Sequence, residues 1–592
     1  MADNDSTTID YDAITRKYEE ERAKRLRADG IDQWMELKTE ATQFDIDYNA
    51  DPNFTRAPII EDVDVLIIGA GVSGLLAGGR LREQGVKSLR VVEKGGDFGG
   101  TWYWNRYPGL HCDVESYIYM PMVEELGIMP SKKYSPGHEI REHCQRIARH
   151  YDLYQGALFQ TMVNDARWNE ERRRWIVKTD RGDQIAARFL ISATGFIVNP
   201  KLPRIPGLES FEGHSFHTSR WDFAYTGGNE DGGMTNLADK KVGLIGTGAT
   251  AVQLVPRLQQ SAEHLYVFQR TPSPVDARGN GPTDPEWFAS LQPGWTRQRR
   301  DNFTILLSGG QVEERLVDDG WTDILPKVDL EEAAVDPADA FAKAAIRKME
   351  KIRHRVDEFV GDKDTAEALK PWYQFFCKRP TFADDYLQAF NEPNVSLVDT
   401  KGQGVERITS SGVVVDGKEY ELDCLIYATG FDYAVEYSKE NGVDFVGRSG
   451  KTLSQHWSNG PSTLWGMQSR NFPNFMFMRV AQAGASANYT HTADMQAKHI
   501  AWLISQALER GIGAMEPNQE AEDSWVDTIV SQAGPRIAFH ASCTPGYYNH
   551  EGQVDEALAR HEYYVGGPMA YDQMLADWRA EGSMKGLDLT KG

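Results

Sequence analysis

No apolar run in this sequence is long enough to cross a membrane. The longest candidate, residues 65–76, is broken by Gly69, Gly71 and Gly74, well short of the ~20 residues a bilayer needs. The opening MADNDSTTID is acidic and has no apolar core, so no secretory signal is expected there. Basic charge is in deficit: 64 Lys and Arg stand against 87 Asp and Glu, a net charge of −23. Neither nucleic acid nor an anionic membrane surface is therefore an expected partner. Cysteine is scarce, and Cys112, Cys144, Cys377, Cys424 and Cys543 show no C-x-x-C spacing. That spacing argues against a thioredoxin-like dithiol and against zinc, so no metal is expected. Reduced, mostly buried thiols in a cytoplasmic protein are the default expectation.

What is present is enough for several domains. At 592 residues and 41% hydrophobic content, three or four domains with ordinary cores are expected. Residues 1–60 form an extension, with a charged helix at 16–27 that carries Glu20/Lys24 and Glu21/Arg25 at i,i+4. A solvated helix lying on the main body is favoured there over a partner-binding one.

Residues 63–93 read as strand, glycine turn, helix and strand: VDVLII, GAGVSG, a helix from about residue 75 to 84, and SLRVVE. Gly69 makes the tight turn, Gly71 lets a pyrophosphate approach the backbone, and Gly74 allows close helix–strand packing. The helix N-terminus then faces the phosphates. Glu93, at the end of the second strand, is placed to hold a ribose 2′-hydroxyl. Residues 241–271 repeat the design with KVGLI, GTGATA and HLYVFQRT. Gly246 and Arg270 are separated by the same offset as Gly69 and Glu93, so a guanidinium stands where the first unit has a carboxylate. A carboxylate repels a 2′-phosphate and a guanidinium pairs with it. The first loop therefore suits FAD and the second NADPH.

Each loop has a companion. Residues 174–196 form a hairpin feeding the strand FLISATGF, and 405–431 repeat it, ending in CLIYATGF. This is the layout of a flavoprotein with two dinucleotide-binding domains. Residues 272–376 are mostly helical and inserted before the second unit is complete. Within them, 336–360 place Phe341, Ala345, Met349, Ile352, Val356 and Phe359 on one face. Trp295, Trp321, Trp372 and Phe375 could line a cavity, with core packing the blander reading for each. In the loop 99–113, GGTWYWNRYPGLHCD, the aromatics are a wall against a flat ring system or a core patch. Lys378-Arg379 is a solvated pair or the partner of an anion. Residues 203–222, PRIPGLESFEGHSFHTSRWD, join the two units and are too aromatic for a solvated linker. Toward the end, 466–478 and 494–508 read as a strand and a helix closing the first domain.

The stretch 203–222 carries a resemblance. F-x-G-x-x-x-H-x-x-x-W followed by Pro or Asp is the fingerprint of the type I Baeyer–Villiger monooxygenases, and here it reads Phe211, Gly213, His217, Trp221 and Asp222. The chain resembles that family from about residue 63 onward, with residues 1–60 outside the likeness. The resemblance implies a non-covalent FAD, reduced by NADPH, that reacts with O₂ to give a C4a-peroxide. That peroxide attacks a ketone carbonyl, and an ester or lactone leaves. It further implies NADPH contacts at Thr247, Gly248, Ala251, Gln253, Arg270, Thr271 and Lys378, and flavin-domain contacts at Thr101, Trp102, Trp104 and Tyr119. Arg379 matches the catalytic arginine and Asp113 the acid that positions it, in a loop that also reaches the nicotinamide. His217 then reads as a hinge or coupling residue rather than a general base. A Ser-Trp pair common in the family is replaced by residues 542–548, SCTPGYY, a pattern closer to members acting on large cyclic or polycyclic ketones.

The expected fold is α/β, with two Rossmann-like dinucleotide-binding domains and a helical insertion in the NADPH domain. Its divisions are an N-terminal extension (1–60), the FAD domain (61–205 and, with the C-terminal tail, 431–592), the NADPH domain (206–275 and 377–430) and the insertion (276–376). An N- or S-oxygenating flavin monooxygenase shares both loops but lacks the Trp221-Asp222 ending and the Arg379 match. A pyridine-nucleotide:disulfide oxidoreductase would need a cysteine pair. A non-enzymatic NADPH-sensing flavoprotein would keep the motifs for binding alone.

Overall fold

Each glycine loop follows a strand that lies between two parallel neighbours, the first in a mixed sheet and the second in another. The computed structural model describes residues 9–324, 328–432, 437–438, 442–554 and 557–592, so most of the acidic opening stretch lies outside the described residues. The first sheet runs Phe445–Val446, Val163–Asn169, Arg174–Thr179, Gln184–Ser192, Ile60–Ile68, Leu89–Val92 and Ala157–Leu158, with Phe475–Phe477 also pairing Gln184–Ser192. Ile60–Ile68 is central, and its last four residues are all buried, as a parallel strand covered on both faces requires. Helices Val72–Glu83 and Tyr489–Glu509 pack together over it.

The second sheet is wholly parallel: Val395–Asp399, His264–Gln269, Lys241–Ile245, Cys424–Tyr427 and His214–His217. Its last strand comes from the fingerprint stretch. Those residues are therefore an edge of the second sheet, in register with Cys424–Tyr427 through His217 and Tyr427, rather than a free hinge. The expected second hairpin is a three-stranded meander, Arg407–Ile408, Gly412–Val415 and Lys418–Glu421.

The insertion is helical and is stitched at its base, where Val275–Asp276 pairs with Thr381–Phe382. Its long helix, Pro337–Phe359, is capped by Asp336, whose carboxylate accepts from the Ala338 and Asp339 amides. Ala345, Met349, Ile352 and Val356 are buried as the periodicity predicts, while Phe341 and Phe359 are only half-buried. The same helix buries Lys348 completely. Its ammonium pairs with Asp276 and, at 2.7 Å, with Asp323, so the buried charge is compensated from two sides.

The N-terminal extension does more than coat the surface. Helix Tyr11–Arg25 buries Tyr18 beside Arg353, and Arg22 Nε donates to the Cys543 carbonyl at 3.1 Å. Trp34–Glu36 pairs antiparallel with Lys201–Pro203. Of the expected helix pairs, Glu21–Arg25 forms at 2.6 Å, and Lys24 also turns to Glu21.

One expectation is overturned. Cys377 and Cys543 form a disulfide across 166 residues of sequence; Cys112, Cys144 and Cys424 are free and buried. No local spacing marks the pair, because only the fold brings the tail beside the strand that returns from the insertion. Among the described residues no helix is long and apolar enough to cross a membrane.

Candidate active site

A single cavity of about 1680 Å³ runs between the two sheets and is lined by both glycine loops, the aromatic loop, the insertion and the tail. A pocket for one small ligand is about 300–1,000 Å³, so this space suits two dinucleotides and a substrate. The two loops are built alike. Gly69 (φ +103°) lies against the Ala193 carbonyl, which a Cβ would meet at 2.6 Å, and Gly246 (φ +113°) lies against the Ala428 carbonyl, at 2.4 Å. The two A-T-G sequences thus have one physical role: each backs the first glycine of a loop so closely that no side chain fits. A Cβ on Gly248 would enter open space, which leaves its backbone accessible to a phosphate.

At the first loop, Glu93 is buried, and its carboxylate accepts from the amides of Ala70 (2.7 Å) and Gly95 (2.6 Å). Burial pushes its carboxyl upward, against the pull of those two bonds. Gly71, Gly74 and Glu93 share this end of the molecule with Thr101, Trp102, Trp104 and Tyr119. The aromatic loop does both jobs: Thr101, Trp102 and Trp104 line the cavity, with Tyr119 beyond the loop, while Trp102 and Tyr107 also pack in the core, and Trp102 Nε1 donates to the Tyr119 hydroxyl at 3.2 Å. Arg220 stacks on Trp104 at 4.0 Å and is itself held by Asp45 at 2.7 Å. Gln253, on the second-loop helix, joins the two units. Its Nε2 donates to the His111 carbonyl at 2.9 Å, and its Oε1 accepts from the Tyr107 hydroxyl at 3.0 Å. Burial lowers the His111 imidazole to about 4, so it is neutral near pH 7. Ala251 is buried in the same helix.

Where the aromatic loop and the insertion meet, Asp113 and Arg379 form a bidentate pair. Arg379 Nε and Nη2 donate to the two carboxylate oxygens at 2.7 and 2.8 Å. Burial disfavours the guanidinium, but the Asp113 charge outweighs it and holds Arg379 firmly protonated. Trp321 completes the arrangement: its indole lies 5.0 Å from the guanidinium, and its Nε1 donates to the Asp113 carbonyl at 2.7 Å. Among the insertion aromatics singled out in the sequence, Trp321 lines the cavity, whereas Trp295 and Phe375 pack in the core and Trp372 lies beneath Arg353.

At the second loop, Thr247 Oγ1 donates to the Thr271 carbonyl at 2.7 Å, and Arg270 and Lys378 converge nearby. Here the extension enters the site: Arg25 Nε donates to the Thr271 hydroxyl at 3.1 Å, and Gln33 Oε1 accepts from Arg270 Nη1 at 2.5 Å. Lys201 and Glu551 also join this cluster, with Glu551 3.1 Å from Arg270 and 3.5 Å from Lys201. Burial, reinforced by Arg270 and Arg25 against the opposing pull of Glu551, lowers the Lys378 ammonium to about 7. Gln33, Trp34, Lys201 and Glu551 were not legible in the sequence, because no motif or spacing links three distant segments.

The fingerprint residues frame the second sheet rather than the cavity. A Cβ on Gly213 would meet the Phe211 ring at 2.5 Å and the Asp423 carbonyl at 2.7 Å. Trp221 is buried and donates from Nε1 to Thr226 at 3.1 Å; Asp222 caps the next helical turn and sits 3.1 Å from His214. His217 is fully buried, and its Nδ1 accepts from the Ser219 amide at 3.2 Å. Burial and the nearby Arg220 lower it to about 3, so it is neutral at ordinary pH and ill-suited to general-base work.

Two nucleotide loops facing one cavity that a charge-paired arginine also lines define a two-dinucleotide flavoprotein oxidoreductase. Comparison with known proteins agrees and goes further. A family profile described as pyridine nucleotide-disulphide oxidoreductase matches residues 66–271, the nucleotide-binding part. The Cys377–Cys543 bond lies outside that span, and neither cysteine lines the cavity. Neopentalenolactone D synthase of Streptomyces avermitilis is 50% identical over 99% of this chain and 100% of its own. A Baeyer-Villiger monooxygenase of Streptomyces coelicolor is 48% identical over 96% of this chain and 95% of its own. The polycyclic ketone monooxygenase of Thermothelomyces thermophila superposes with a TM-score of 0.92 at 39% identity, covering 98% of this chain and 99% of that one. The OTEMO complex with FAD and NADP superposes at 0.74 with 29% identity, covering 90% and 100%. The chain belongs to the Baeyer–Villiger monooxygenases: it uses FAD and NADPH and inserts oxygen beside a ketone carbonyl to give an ester or lactone. The likeness includes the N-terminal extension, which had been expected to stand outside it.

Proposed function

We propose that the ketone is a bulky fused-ring compound and that Arg379 and Asp113 carry the chemistry. The observation behind the assignment of roles is the bidentate pair between Asp113 and Arg379 in the cavity that both nucleotide loops and the insertion line. Bound FAD supplies the redox chemistry and oxygen activation. Arg379 stabilises the negative charge that develops at the reacting oxygen, a task for a cation that does not lose its proton. Asp113 uses up Nε and Nη2, which aims the remaining Nη1 and fixes the plane of the guanidinium. Gly69, Gly71, Gly74, Glu93, Thr101, Trp102, Trp104 and Tyr119 hold FAD. Thr247, Gly248, Ala251, Gln253, Arg270, Thr271 and Lys378 hold NADPH, and the buried His217 couples the fingerprint strand to the second domain.

The substrate class rests on the size of the cavity and on its apolar lining, to which Leu307, Phe341, Phe376, Phe539 and Tyr563 contribute. One structural neighbour is by name a polycyclic ketone monooxygenase. The test is a panel running from small cycloalkanones to steroids, with NADPH and O₂, scored by products one oxygen atom heavier. Fused-ring ketones should turn over with the lower KM, and a preference for cyclohexanone-sized substrates would refute the assignment. Arg379→Ala should abolish the ester, since losing a preorganised donor costs about 10²–10³ in rate and the cation paired to Asp113 goes with it.

A further inference from the structure

We propose that Glu551 is an internal competitor for the 2′-phosphate of NADPH and sets how strongly this chain prefers NADPH over NADH. The proposal rests on reading Arg270 and Lys378 as the 2′-phosphate site. Glu551 comes from the C-terminal tail, yet its carboxylate is 3% exposed and lies among the cations of that site. Oε2 accepts from Arg270 Nη2 at 3.1 Å; Oε1 accepts from Trp34 Nε1 at 3.1 Å and sits 3.5 Å from Lys201 Nζ. The second phosphate cation is engaged by the same segment, because Lys378 Nζ donates to the Pro545 carbonyl at 3.0 Å. Two oxygens shared among two cations and an indole N–H reproduce what a phosphate would accept there.

The backbone is held in a costly conformation to do this. His550 (φ +47°) and Glu551 (φ +56°) are consecutive non-glycine residues in the left-handed region, which L-residues avoid. Such strain persists only where the surroundings over-determine it. Here they do so through the ion pairs of Glu551, its amide bonded to the Gly546 carbonyl at 2.9 Å, and the Cys543 disulfide just upstream. A nucleotide with a 2′-phosphate must displace this carboxylate from Arg270, which lowers its affinity. A nucleotide with a free 2′-hydroxyl meets no repulsion and can donate to the carboxylate. Glu551 therefore narrows the preference created by Arg270 and Lys378, and it favours release of the oxidised cofactor after turnover.

The test uses the FAD-loaded protein and measures dissociation constants for NADP⁺, NAD⁺ and 2′,5′-ADP in wild type, Glu551→Gln and Arg270→Ala. Glu551→Gln should tighten NADP⁺ and 2′,5′-ADP by about tenfold, the scale of one removed like charge at a partly solvated site, and change NAD⁺ by less than about twofold. An unchanged or weakened affinity for 2′,5′-ADP in Glu551→Gln, with Arg270→Ala weakening it as expected, overturns the role of Glu551 alone. No effect of Arg270→Ala overturns the site reading and the proposal with it. Hydrogen exchange on the wild type gives a readout free of folding effects. NADP⁺ should raise exchange in residues 546–552 and NAD⁺ should not; equal protection by both cofactors overturns the proposal.

Discussion

Replacing Asp113 with Ala isolates what holding the Arg379 guanidinium in place is worth. Removing one partner of a buried pair costs about 3–5 kcal/mol. The Arg379 side chain is 34% exposed, toward the cavity, and solvent screening reduces the cost to about 2–3 kcal/mol. If that loss falls on the oxygenation step, the rate drops about 30- to 150-fold. Part of the geometry survives, because Trp321 still stacks on the guanidinium at 5.0 Å, a contact worth about 0.5–1 kcal/mol. Asp113→Ala should therefore keep a trace of ester formation that Arg379→Ala lacks, and Asp113→Asn, which retains one acceptor, should fall between Ala and wild type. The assay compares ester formed, hydrogen peroxide released and NADPH consumed under identical conditions. Loss of ester with continued NADPH oxidation, diverted to hydrogen peroxide, is the expected pattern. Asp113→Ala forming ester at the wild-type rate and coupling would refute the reasoning, because the guanidinium would then be held by something else.

Binding of NADP⁺ should depend on pH through Lys378, whose ammonium is lowered by burial to about 7. The 2′-phosphate gains its second charge above about pH 6, so affinity should peak between about 6 and 7 and fall as Lys378 deprotonates; Lys378→Arg should flatten the upper limb in a titration. For stability the sign is opposite. The unfolded lysine, with its ordinary value of 10.5, binds the proton the folded one releases above about 7, so this group's contribution improves as pH rises across that window. Lys348→Met should destabilise the fold by about 3–5 kcal/mol, since Asp276 and Asp323 lose their shared cation; urea midpoints would show it, and an unchanged midpoint would mean the pair is solvated. Breaking the Cys377–Cys543 bond with reductant or by Cys543→Ser should lower the unfolding free energy by up to about 5 kcal/mol, the scale for closing a loop of this length. It should also loosen the tail segment that carries Glu551, readable as faster proteolysis after residue 543.

The sequence alone settled what depends on short-range spacing. A glycine turn needs its strand and helix within a few residues, so both loops, the equal offsets to Glu93 and Arg270, and the one-sided helical periodicity of residues 336–360 were legible in order along the chain. The fingerprint was legible for the same reason, although its place as an edge strand was not, since strand pairing is a contact between distant segments. Tertiary structure alone decided the contacts with no local signature. It put Cys543 beside Cys377, seated Trp321 on Arg379, drew Gln33 and Trp34 of the extension to Arg270, and set Glu551 between Arg270 and Lys201. Each joins segments whose separation along the chain carries no periodicity or motif. Only burial and charge compensation in the folded molecule select them.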